Sequence, residues 1–159
     1  MVKIKIIHVG TNKESYFNEG INEYVKRLQK EVSFEFVSVP EFKLPSNPNE
    51  NEINNALNKE ASLIENLIPK NSFVIAMCIE GKQFSSAEFA DLFREKLNFF
   101  SSFCFIIGGS FGLSNTVKSK AHLKLSMSKM TFPHTMAKLI LSEQIYRAFS
   151  INGGGRYNK

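Results

Sequence analysis

Two short, unbroken apolar runs constrain this chain most. They are "FVIAMCI" at residues 73–79 and "FCFII" at 103–107. Neither alternates with polar residues, so neither has a face meant for water. Runs of that length are what strands show when both faces are covered, as in the middle of a parallel sheet. Parallel neighbours cannot be joined by a hairpin; they need a crossover of a dozen or more residues, usually helical. The pattern around these runs should therefore alternate strand and helix.

It does so along the whole chain. Residues 2–9 read as a first strand, and residues 14–30 as an amphipathic helix with Phe17, Ile21, Tyr24, Val25 and Leu28 on one side. "SFEFVSV" at 33–39 alternates with period two, a second strand, and Pro40, Pro45 and Pro48 then mark a surface loop. Ile53, Leu57, Ile64 and Ile68 define a second helix that Pro69 ends. Ser85 and Glu88 form a capping box ahead of a third helix carrying Phe89, Leu92, Phe93 and Leu97. A short helix at 114–120 and an alternating strand, "HLKLSMS" at 122–128, follow the fourth strand. Pro133 opens the last helix, where its missing N–H is no loss. The order βαβαβαβ(α)βα predicts one α/β domain over residues 1–159, with a mostly parallel sheet of five or six strands. The last helix is apolar around most of its circumference, through Met136, Leu139, Ile140, Leu141, Ile145, Ala148 and Phe149. Such a helix must be covered on several sides, which predicts a subunit interface and a homodimer.

Several classes drop out. No apolar stretch approaches the ~20 residues of a membrane helix. The opening "MVKIKIIHVG" mixes charge with apolar residues and does not read as a secretory leader, so the expected address is the cytoplasm. Cys78 and Cys104 lie within apolar runs and read as buried thiols, without disulfide or metal-ligand spacing. Charge is distributed unevenly. Residues 114–159 carry eight Lys/Arg and one acid, Glu143, whereas residues 1–113 carry twelve basic and fourteen acidic residues. A +7 segment on a chain of net +5 points to a polyanionic partner, nucleic acid first, or to a merely solvated basic face.

That basic segment begins where the fourth strand runs into "IIGGSFGLS" at 106–114. The loop is not a dinucleotide fingerprint, because Ile107 stands where the first glycine belongs. Nor is it a P-loop, since Leu113 and Ser114 follow Gly112 in place of Lys and Ser/Thr. It reads either as a plain tight turn or as a loop whose bare backbone lets a ligand approach.

Three segments, "IIGGSFGLS", "LSMSKMTFPH" (125–134) and "SEQIYRAFSI" (142–151), together with the opening "HVGTNKESYFNEGINEY", resemble the ribosomal RNA large-subunit methyltransferase H family. That family belongs to the SPOUT class of S-adenosylmethionine-dependent RNA methyltransferases. The resemblance runs end to end and implies a SPOUT-type α/β knot, with the C-terminal segment threaded through a loop as a trefoil. Pattern reading alone gives a flavodoxin-like sheet. The resemblance further implies a cofactor pocket formed by Met77, Gly108 and the run Met127, Ser128, Lys129, Met130, Thr131 and Phe132. Read without it, Met127 and Met130 are ordinary core residues.

The implied reaction is methylation of N3 of a pseudouridine in a 23S rRNA stem-loop on the assembled ribosome, with no metal. His134 reads either as the base that takes the N3 proton or as a helix-start residue satisfying backbone groups. Glu143 and Arg147, four apart, form either a helix-stabilising pair or an arginine held ready for RNA. Tyr157, with Arg156, could stack on RNA or belong to a frayed glycine-rich end. The family tail usually reads Tyr-His-Lys or Tyr-His-Arg, and Asn158 replaces that His here. The RNA surface is expected to be shared by two subunits. Competing readings are a SPOUT enzyme acting on another RNA such as a tRNA ribose, a non-catalytic ribosome-binding factor, and a flavodoxin-like small-molecule binder.

Overall fold

The structure is a computed structural model that describes residues 1–11 and 14–159; Asn12 and Lys13 of the opening motif lie outside the described residues. Ten elements alternate as β1 (Val2–Val9), α1 (Ser15–Leu28), β2 (Val32–Val39), α2 (Glu50–Leu67), β3 (Phe73–Gln83), α3 (Ser86–Lys96), β4 (Ser102–Ile107), α4 (Asn115–Lys120), β5 (Leu123–Ser126) and α5 (His134–Asn152). The five strands form one sheet in the order β2-β1-β4-β3-β5, every pairing parallel.

Alternation along each strand divides the core in two. On one face Ile4, Ile6, Ile75, Phe103 and Phe105 pack against Leu28 of α1, Phe89 and Phe93 of α3, and Leu141, Ile145 and Ala148 of α5. On the other Ile7, Val9, Val74, Ala76 and Ile106 meet Ala61 and Ile64 of α2 and Val117 of α4. The two unbroken apolar runs therefore sit in β3 and β4 with both faces covered, as their composition demands. Crossovers of one hand explain the layering. Connections running toward β2 place α1 and α3 on the first face. Connections running toward β5 place α2 and α4 on the second.

Local chemistry sets the helix starts. Ser85 Oγ accepts the Glu88 N–H at 3.1 Å while Glu88 Oε2 accepts the Ser85 N–H at 2.7 Å, the expected capping box. A second box, Asn49 with Glu52, opens α2 and is hidden in the proline-rich loop. Two strand boundaries differ from expectation. β3 continues to Gln83 rather than stopping at residue 79, and β5 is confined to Leu123–Ser126. Part of the apolar surface of α5 is used within the chain, where Leu141, Ile145 and Ala148 are buried as the helix lies between α1 and α3 above the sheet; Leu139, Ile140 and Phe149 are half-buried and Met136 is exposed.

Candidate active site

At the carboxyl ends of β3, β4 and β5 lies a cleft of about 390 Å³. That is within the ~300–1,000 Å³ of small-molecule sites, and it opens where α/β sheets generally bind ligands. Its back wall forms because β3 leaves β5 and returns to it. Met77 pairs with Leu125, the next four residues bulge outward, and Lys82 then meets the same Leu125. Gly81 makes the return possible, because a Cβ there would stand 2.7 Å from the Lys124 carbonyl carbon. The bulge puts Cys78, Ile79 and Glu80 on the cleft wall.

The glycine loop forms the facing wall. It is a tight turn, with the Gly112 N–H donating to the Gly109 carbonyl at 3.1 Å and Gly112 at φ 78°. It also lines the cleft and carries the half-exposed Phe111 at its tip. Gly108 has no room for a side chain: a Cβ would fall 2.5 Å from the Gly112 carbonyl. Glu41 pins the turn from outside, its Oε1 accepting the Ser110 N–H at 2.9 Å.

Beyond β5 the chain closes the cleft's third side. Ser126 Oγ donates to the Ser128 carbonyl at 3.0 Å, and Ser128 Oγ accepts the Met130 N–H at 3.0 Å. Met77, Gly108, Met127, Ser128, Met130, Thr131 and Phe132 all line the cleft. Lys129 does not: the turn held by Ser128 leaves its charged chain exposed outside the lining.

His134, in the first turn of α5, stands at the rim. Its Nε2 lies 3.2 Å from the Thr11 carbonyl, an acceptor only, so in the neutral ring Nε2 carries the proton and Nδ1 the lone pair. Its ring lies over Gly10, where a Cβ would come within 3.0 Å, and stacks on His8 with centroids 6.3 Å apart. His8 is buried. Its Nδ1 donates to the Gly10 carbonyl at 3.1 Å and its Nε2 faces Lys138 Nζ at 3.4 Å. Burial, and then the Lys138 charge, push His8 down to about 4, so its ring is neutral at physiological pH. Burial also lowers the Lys138 amine.

Glu143, Arg147 and Tyr157 form a second, separate cluster toward the other end of α5. Arg147 Nε donates to Glu143 Oε1 at 3.0 Å, Tyr157 Oη donates to the same oxygen at 3.1 Å, and the guanidinium lies 4.6 Å from the centre of the Tyr157 ring. Burial, with hydrogen bonds to Tyr24 and Glu143, pushes the Tyr157 phenol up to about 12. Asn158 Oδ1 accepts from Arg147 Nη1 at 3.1 Å, so the residue at the departed family position is tied to this cluster. The tail is therefore docked on α5. Arg147 stands about 20 Å along the helix axis from His134.

Glu80 and Lys118, both on the cleft, had no sequence signal. Glu80 looks like the end of a strand and Lys118 like one more surface lysine of the basic segment. The thiols divide: Cys104 is buried and pushed up to about 12 by that burial, while half-buried Cys78 borders the cleft. Among the described residues no group of His, Cys, Asp and Glu could hold a metal ion, and no helix is long and apolar enough to cross a membrane.

Comparison with known proteins gives the class first. Two solved structures share the fold: a probable methyltransferase from Bordetella pertussis (TM-score 0.56, 18% identity, 91% of this chain and 95% of that one) and a probable methylase family protein from Haemophilus influenzae (TM-score 0.55, 15% identity, 98% and 70%). The family model described as predicted SPOUT methyltransferase matches residues 2–158. Full-length relatives narrow the class. The ribosomal RNA large subunit methyltransferase H of Streptococcus suis is 45% identical over 159 residues, covering 99% of this chain and all of that one, and the Streptococcus pneumoniae protein of the same name is 43% identical over the same span. The chain belongs to the ribosomal RNA large subunit methyltransferase H family of SPOUT methyltransferases.

Proposed function

We propose that this protein transfers a methyl group from S-adenosylmethionine to N3 of a pseudouridine in a 23S rRNA stem-loop of the assembled ribosome, in the cytoplasm and as a homodimer. The observation that carries the reading is the cleft, which gathers Met77 of β3, Gly108 of the glycine loop, and Met127, Ser128, Met130, Thr131 and Phe132 of the segment after β5. The donor fits what is there. Methionine and phenylalanine walls suit an adenine face, and the bare backbone at Gly108 suits its polar edge. The trefoil threading of the segment after β5 belongs to the same reading.

When bound, the cofactor supplies an electrophilic methyl carbon on a sulfonium. The protein's part is to hold the acceptor nitrogen in line and to remove its proton. In its neutral form His134 presents a base at the rim, with Nε2 on the Thr11 carbonyl and the lone pair on Nδ1. The target base leaves its stack to enter, at a cost that is lower in a loop than in a duplex. Arg147, held by Glu143, is suited to RNA phosphate or base edges through its planar fork, and Tyr157 to stacking. That cluster lies at the far end of α5 from its own cleft, so it serves the cleft of the second subunit.

The test is methyl transfer from labelled S-adenosylmethionine to ribosomes lacking the modification, with nuclease digestion and mass spectrometry to place the label. Label on N3 of the pseudouridine is the expected result. Label on tRNA alone would move the substrate assignment. Cofactor-independent ribosome binding without label would replace the enzyme by a binding factor.

A further inference from the structure

We infer that Glu80 and Lys118 are the clamp for the amino-acid end of the methyl donor; the inference rests on the cofactor reading above. Among the described residues lining the cleft, these two are the only Lys, Arg, Asp or Glu side chains. They face each other across the opening, with Lys118 Nζ 2.5 Å from Glu80 Oε1. One comes from the β3 bulge and the other from α4, so the pair joins two independent walls. The hydrogen bond from Lys118 holds the Glu80 carboxyl below its ordinary range.

The donor is an adenosine attached to an α-amino acid. Its adenosine end matches the apolar part of the cleft, but its ammonium and carboxylate do not. Placing that zwitterion against Met77, Leu125 or Met127 would strip both charges of water without replacement. A Lys–Glu pair is its charge complement. The ligand carboxylate takes Lys118 and the ligand ammonium takes Glu80, giving four alternating charges. Glu80 keeps 55% of its side-chain surface in solvent and Lys118 21%, so the existing pair is partly exposed, and the ligand's two charges replace each partner as it opens. The clamp also explains why the bulge is built: without the return at Gly81, Glu80 would follow the strand instead of facing α4.

Calorimetry on the full chain tests this with two ligands, S-adenosylhomocysteine and 5′-methylthioadenosine, which share the nucleoside and differ in the amino acid. Wild type should prefer the first. Lys118→Leu and Glu80→Gln should each weaken S-adenosylhomocysteine about tenfold, the size of one lost charged hydrogen bond. Binding of 5′-methylthioadenosine should not change, which also shows the variants to be folded. Lys118→Arg should retain the preference. Equal losses for both ligands would make the pair a latch between α4 and the bulge, and unchanged affinities would remove it from binding; either overturns the clamp while leaving the cofactor reading intact. A wild-type protein that binds neither ligand would sink both.

Discussion

His8 should make this protein acid-sensitive in a window set by one buried ring. The side chain is 5% exposed, at the end of β1, with Lys138 on one side and His134 on the other. Its ordinary value of 6.5 falls to about 4 in the folded chain. Between those values the unfolded state holds the extra proton, so stability is lost as pH falls. The gap corresponds to ~3 kcal/mol when fully developed and to ~2 kcal/mol by about pH 5. Above pH ~7 the contribution is constant. Urea denaturation near pH 7.5 and near pH 5 measures it, with other titrating groups cancelled by comparison with His8→Gln. The wild type should lose ~2 kcal/mol more than His8→Gln over that interval. Lys138→Met separates the causes. Burial is the larger one, so this variant should keep most of the acid sensitivity and regain a smaller part. Equal losses in wild type and His8→Gln would refute the burial argument. Complete relief in Lys138→Met would mean that charge, not burial, controls the ring.

Gly108→Ala forces a Cβ to 2.5 Å from the Gly112 carbonyl, so the turn must shift; a loss of ~1–3 kcal/mol in chemical denaturation and of cofactor binding in calorimetry is expected. Tyr157→Phe should remove, from an ultraviolet pH titration, a phenol that ionises near 12, and should leave the pH profile of methyl transfer below pH ~9 unchanged. Lys129→Ala should leave S-adenosylhomocysteine affinity unaltered in calorimetry, since the residue is outside the cleft, while weakening ribosome binding in filter assays at low salt.

The fold class was legible because it rests on local pattern. Covered strands need unbroken apolar runs, and "FVIAMCI" and "FCFII" could be little else in a chain of this length. Caps were legible for the same reason, although the Asn49–Glu52 box was masked by the prolines around it. What the sequence hid depends on distant partners. β3 resumes beyond its bulge because Gly81 lies against Lys124 and Leu125, and nothing in "IEGKQ" announces that contact. Lys138 reads as one of the eight cations of the basic segment, yet it is buried beside a histidine far away in sequence. Of the run 127–132 named by resemblance, all but Lys129 line the cleft, and the exposure of Lys129 follows from a serine-closed turn that a motif cannot display.

One spacing on α5 gives the homodimer a decisive test. His134 stands at the first turn of a single rigid helix and Arg147 near its last, so the two are about 20 Å apart along the axis, farther than any side chain reaches. If Arg147 positions the base, it must do so at the cleft of another copy. Two inactive chains, one Gly108→Ala with its Arg147 intact and one Arg147→Ala with its cleft intact, can then complement each other. In a random mixture half the dimers are mixed, and each holds one complete site, so methyl transfer should return to about a quarter of wild type. Each variant alone should remain inactive, and sedimentation should show the mixture as dimers. A mixture as inactive as its parts would mean that Arg147 acts within its own chain, on RNA lying along α5. Full activity of Arg147→Ala by itself would take the residue out of the reaction and leave its pair with Glu143 as a brace for the docked tail.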